Sequence, residues 1–125
     1  MIDRSTRSYT NVELDLVSAL NLAELRASNK RLPGDDPFLI VWLADTRGRV
    51  GDGIIESSVV EVESWAGTPS GSWEQLSAAR RVLAGLVGTR GIRGVEEING
   101  PSSLPTGEEG WERYRMQVEV VAPTR

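Results

Sequence analysis

The stretch from Ile54 to Val87 constrains the fold of this chain more than any other, because it joins a strand to a helix through one short turn. Residues 54–65 are rich in β-branched side chains and alternate in their second half. Val60 and Val62 fall on one strand face and Glu61 and Glu63 on the other. Gly67-Thr68-Pro69-Ser70-Gly71 breaks the strand, since proline lacks a ladder donor and glycine permits tight turning. Ser72, with Gln75 three residues on, has the spacing of a capping box and predicts a helix from Trp73 to about Val87. Leu76, Ala79, Leu83 and Leu86 form its apolar stripe, Gly88 suits a C′ position, and Arg80, Arg81 and Arg90 suit the negative end of the dipole.

The remaining segments build outward from this unit. Residues 1–9 read as a flexible polar N-terminal arm. Thr10 and Glu13 form a second capping box, opening a helix expected to run to about Ala27. Its stripe is Val12, Leu16, Ala19, Leu20 and Ala23; Leu14 and Leu25 fall on the opposite side, a second face expected to meet another subunit. The prolines of 32–37 impose a loop, and the apolar run 38–44 suits a strand buried on both faces. Residues 45–53 are a polar, glycine-rich connection into the organising strand. A strand is expected over 92–98, reached from 54–65 by a parallel crossover through the helix. A long loop follows, with 101–110 at its centre. From Trp111 to Val121 the alternation is clean: Tyr114, Met116, Val118 and Val120 against Arg113, Arg115, Gln117 and Glu119. The expected fold is α+β, a single domain spanning 1–125. Its two helices pack on one face of a mixed sheet of four or more strands, in the order α-β-β-α-β-β.

The chain contains neither cysteine nor histidine. That removes disulfides, thiol nucleophiles, Cys/His zinc sites and every triad with an imidazole base. A net charge of −4 argues against the basic footprint of a nucleic-acid binder. The longest apolar run is too short to span a bilayer, and the first residues lack the core of a signal peptide, so the expected site of synthesis is the cytoplasm. Glu61 and Glu63 form a carboxylate pair, read as part of a solvated sheet face rather than a metal or acid–base site. Gly88 to Gly94 follows a helix, whereas a phosphate cradle precedes one. Gly67 to Gly71 carries proline where a nucleophile elbow needs serine. No catalytic, cofactor or metal residue is predicted, and the expectation is a protein without enzymatic activity. Trp42, Trp65, Trp73 and Trp111 serve equally as interface anchors or as plugs for a small core.

Several phrases resemble phage tail terminator proteins, particularly those of siphophages of actinobacteria. They are Val12-Glu13-Leu14, Leu32-Pro33 through Val41, and Val59-Val60-Glu61-Val62-Glu63-Ser64-Trp65-Ala66. Gly94-Val95-Glu96-Glu97, Gly100-Pro101, Leu104-Pro105 and Tyr114 through Val120 complete the set. The resemblance implies a virion protein at the head-proximal end of the tail. Its partners would be further copies of itself in a hexameric ring, the tail tube protein, and the head–tail connector or neck protein. The ring would cap the tube, stop its polymerisation and pass DNA without specific binding. No cofactor and no membrane are implied. Within that picture Leu14, Leu25, Trp42 and Trp65 are candidates for subunit interfaces, and Glu61 and Glu63 for an acidic lumen. Arg47, Arg49, Asp52, Leu104 and Glu108 are candidates for contacts with tube or neck. A head-completion or neck protein is the nearer alternative, and a small ligand-binding or enzymatic α+β domain the more distant one.

Overall fold

A computed structural model describes residues 10–50 and 55–123. The arm 1–9 and Asp52 lie outside them. The elements are α1 (Asn11–Leu22), β1 (Ala27–Ser28), β2 (Phe38–Val50), β3 (Ile55–Ala66), α2 (Pro69–Ala84), β4 (Gly94–Leu104) and β5 (Glu112–Pro123). They form an α+β domain with a five-stranded sheet in the order β1-β2-β3-β5-β4. Only β1 and β2 pair in parallel; the other neighbours are antiparallel. β4 therefore runs parallel to β3, but β5 inserts between them, and the crossover through α2 spans a strand rather than joining neighbours. Leu39, Val41, Val60, Val62, Met116, Val118 and Val120 supply the sheet side of one core. Leu16, Leu20, Leu76, Ala79 and Leu83 cover it from the helices, and burial of this apolar surface is the main stabilising term.

The capping box of α1 forms as its spacing predicts: Thr10 Oγ1 accepts from Glu13 N, and Glu13 Oε1 accepts from Thr10 N at 2.9 Å. The helix stops at Leu22, short of the expected Ala27. Its end is a Schellman turn, with Leu25 N donating to Leu20 O and Glu24 N to Asn21 O. Glu24 occupies the left-handed position at φ 66°, where glycine is usual. The Asn21 side chain then grips both backbone groups of Ala27 and turns the chain into β1. Leu25 consequently packs against the core and does not lie on an outer helix face. The Glu24→Gly variant is expected to gain about 1 kcal/mol, because it removes the left-handed strain of an exposed side chain. Urea unfolding at constant m-value measures it.

Helix α2 begins earlier than expected. Thr68 is its N-cap, accepting from Gly71 N at 3.0 Å, and Pro69 fills the first turn, where a missing N–H costs nothing. Ser72 and Gln75 serve the sheet instead of the cap. Ser72 and Ser64 each donate a hydroxyl to the other's carbonyl, at 2.6 and 2.7 Å, and Gln75 Nε2 reaches Phe38 O at 2.9 Å. The helix ends at Ala84, before Gly88. β4 begins at Gly94 and continues through the expected loop to Leu104, across a cis Gly100–Pro101 bond. Its register shifts there, and an edge strand tolerates a proline that an inner strand would not. Gly100 is needed at that crossing, since a Cβ would meet Arg115 O at 2.7 Å.

Candidate functional site

The side of the sheet away from the helices carries the polar groups, and its register decides which of them meet. Trp42 lies opposite Glu61, Ile40 opposite Glu63 and Phe38 opposite Trp65; Arg115 lies opposite Glu63 and Arg113 opposite Trp65. The arginines reach diagonally, by one residue pair, to the carboxylates. Arg113 Nη1 donates to Glu63 Oε1 at 2.9 Å and Arg115 Nη1 to Glu61 Oε1 at 3.0 Å. Trp42 Nε1 donates to the second oxygen of Glu63 at 3.2 Å. The expected solvated carboxylate pair is thus overturned: Glu63 is 3% exposed and Glu61 9%. Arginine stems and the Trp42 ring are long enough to seal a sheet face that, among the described residues, no helix covers. The two acidic charges proposed for a lumen are matched one for one by guanidinium groups.

Burial, followed by repulsion from Glu63, raises the Glu61 carboxyl above its ordinary value, and the Arg115 contact opposes this only in part. A raised carboxyl pKa means that the folded state holds the proton more tightly than the unfolded chain. The resulting stability is fully present below the unfolded value, about 4.5, and is lost as pH rises through the folded value. The Glu61→Gln variant removes this titration. Its melting temperature relative to the parent protein is expected to climb from about pH 4.5 upward and then level off. Thermal melts of both proteins across pH 4–8 check it.

One end of this face holds a cluster that strand alternation does not reveal. Phe38 stacks on Trp65 with ring centres 5.6 Å apart, and Trp111 meets both rings edge-on at 5.4 and 6.2 Å. The Arg31 guanidinium sits 5.3–5.7 Å from all three ring centres, and the Arg113 guanidinium lies 5.4 Å from that of Trp65. Glu108 holds Arg31 in place at 2.9 Å. Trp65 is therefore a buried member of its own subunit's second core, and Trp42 is half-buried beside it. Glu108 braces the 105–111 connection against Arg31, while Leu104 ends β4. Arg31 and Trp111 meet only because β2 and β5 flank β3, so no local signal in the sequence announces them.

The other candidates lie on the helix layer and the edges. Leu14 and Leu22 are 49% and 77% exposed on α1, which packs against β1 and β2. Trp73 is 43% exposed on α2 and meets Tyr114 edge-on at 5.5 Å. Arg47 and Arg49 belong to β2 rather than to a loop. A cavity of about 310 Å³ opens beside the start of α1, lined by Asn11, Asp15, Leu43, Glu56, Ser58 and Val120 among others. Among the described residues no group of acidic side chains is placed to hold a metal ion, and no helix is long and apolar enough to cross a membrane. Comparison with known protein families and with characterised proteins returns no match.

Proposed function

We propose that this chain is a ring-forming virion subunit, a tail terminator that caps the tail tube and joins it to the head–neck assembly. The observation that carries the reading is the pair of large leucines, Leu14 and Leu22, left in water on the outer side of α1. A side chain exposed to this degree gains by being covered, about 25 cal/mol for each Å² removed from water. The outer sheet face supports the same reading, because its carboxylates are engaged by arginines within the subunit instead of converging on a cavity. A closed ring needs two different patches on each subunit, and the α1 side of the sheet supplies one of them. The ring would grow from further copies of this chain, dock on tube and neck proteins, and pass DNA without specific contacts. A head-completion or neck protein would use the same surfaces at the other side of the joint.

The cavity beside α1 favours a second reading, a small-ligand domain, since its lining mixes Asn11, Asp15 and Ser58 with apolar Leu43, Ile92 and Val120. Light scattering after size exclusion, over a concentration series and with tail tubes added, separates the two. The terminator reading expects a closed oligomer near six subunits, or a monomer that becomes one on tubes. A monomer indifferent to both concentration and tubes, combined with ligand-dependent stabilisation, would favour the second reading. The double variant Leu14→Ser/Leu22→Ser is expected to weaken the oligomer at least tenfold while unfolding at nearly the parent's urea midpoint, because neither side chain lies in the core.

A further inference from the structure

The two ends of the sheet differ in a way that specifies how copies of this chain would join. β1 covers β2 only at Leu39 and Ile40, and Glu13 Oε2 takes the Leu43 N–H; among the described residues no strand pairs with the outer side of β2 from Ala44 to Val50. At the other end β4 is the edge. Its second half is guarded by Gly100 and Pro101, and its register first shifts past Glu97, so Gly94 to Glu97 is its regular stretch; β2 likewise shifts between Leu43 and Asp45 and between Thr46 and Gly48. Residues 44–50 and 94–99 have nearly equal length. They run in opposite directions, because β2 is antiparallel to β3 and β4 is parallel to it. Repetition head to tail therefore brings them together antiparallel, the pairing with the straighter hydrogen bonds.

Charge distinguishes this pairing from like against like. Residues 44–50 carry Asp45, Arg47 and Arg49, net positive, whereas 94–99 carry Glu96 and Glu97, net negative. Glu96 also stands directly opposite Glu119 within its own sheet, and like charges so placed repel. A cationic strand laid along β4 would be attracted to Glu96 and Glu97. Leu14 and Leu22 lie on the helix at the β2 end and Ile98, 36% exposed, lies on β4, so apolar surface flanks each edge.

Building on the ring reading, we infer that neighbouring subunits join by pairing residues 44–50 of β2 with residues 94–99 of β4 in the next copy. The interface is heterologous, so each subunit uses both edges and a closed ring leaves neither open.

Disulfide capture tests this cleanly, because the chain has no cysteine of its own. Thr46→Cys is combined in turn with Val95→Cys, Glu96→Cys and Ile98→Cys, spanning the possible registers. Adjacent strands lie about 4.8 Å apart, within bridging range. Oxidation at concentrations, or on tubes, where the full chain is oligomeric is expected to yield a covalent ladder from at least one double variant and no covalent dimer from any single variant. A covalent dimer from a single variant means that like edges meet, and overturns the inference. So does a closed oligomer that none of the pairs captures; the ring reading then survives and the joining surface is elsewhere. A protein that stays monomeric throughout overturns both. Glu96→Arg supplies an independent arm: it faces Glu119 within the subunit and repels the incoming arginines. The expected result is an unfolding midpoint no lower than the parent's, with about tenfold more protein needed for half-assembly. An unchanged assembly midpoint in that variant counts against the pairing.

Discussion

Glu13→Ala is expected to cost about 3–4 kcal/mol and to lower the melting temperature by more than 10 °C. Glu13 is fully buried, and its two oxygens do different jobs. Oε1 accepts from Thr10 N at 2.9 Å and closes the capping box. Oε2 accepts from Leu43 N at 2.6 Å, where β2 begins to depart from regular pairing with β3. One carboxylate thus starts a helix and fastens it to a strand thirty positions away. A hydrogen bond to a charged group contributes roughly 1.5–3 kcal/mol, and losing a cap about 1 kcal/mol, with the two terms overlapping at Oε1. Alanine would also leave the Leu43 N–H without this acceptor in a site that excludes the side chain from water. Glu13→Gln keeps the shape and one good acceptor oxygen, so its expected cost is only about 1–2 kcal/mol. Urea unfolding of the two variants separates the readings. Equal losses would mean that charge is the stabilising feature, and a negligible loss in alanine would mean that water reaches Leu43 N.

That tether also shows what the sequence reveals and what it conceals. Thr10 and Glu13 are three residues apart, so the capping box is legible from spacing alone. The Leu43 contact depends on α1 lying against β2, and nothing near Glu13 announces it. The end of α1 is hidden for a local reason: its left-handed residue is Glu24, where the usual signal is glycine. The alternation of 60–65 and 113–120 places two glutamates and two arginines on the non-helical face correctly. Their ion pairing is invisible, because it requires β5 to insert between β3 and β4, which no local pattern specifies. Gly100 and Pro101 read as loop because both residues weaken strands, yet β4 runs through them as an edge. Arg31 belongs to a segment without periodicity and Trp111 only opens an alternating one, and their meeting with Phe38 and Trp65 is settled by tertiary packing.

Glu63 allows the same distinction between a contact and its removal. Glu63→Ala is expected to destabilise the protein by about 2–3 kcal/mol. Its carboxylate is 5% exposed and bound to Arg113 Nη1, while the Arg113 side chain is 24% exposed and also donates to Pro105 O at 2.8 Å. A fully buried pair broken on one side costs roughly 3–5 kcal/mol, and the partial exposure of Arg113 lowers that because its guanidinium can recruit water. Trp42 Nε1 loses its contact with Glu63 Oε2 in the same step. The pair need not be net stabilising, however. Arg113 Nε is buried with no partner atom, so the guanidinium is desolvated without full compensation. Glu63→Leu/Arg113→Met fills the same space with apolar groups and removes both desolvation costs. That double variant is expected to unfold within about 1 kcal/mol of the parent. A double variant as unstable as Glu63→Ala would instead place the energy in Arg113 itself, through its stacking on Trp65 and its hold on Pro105.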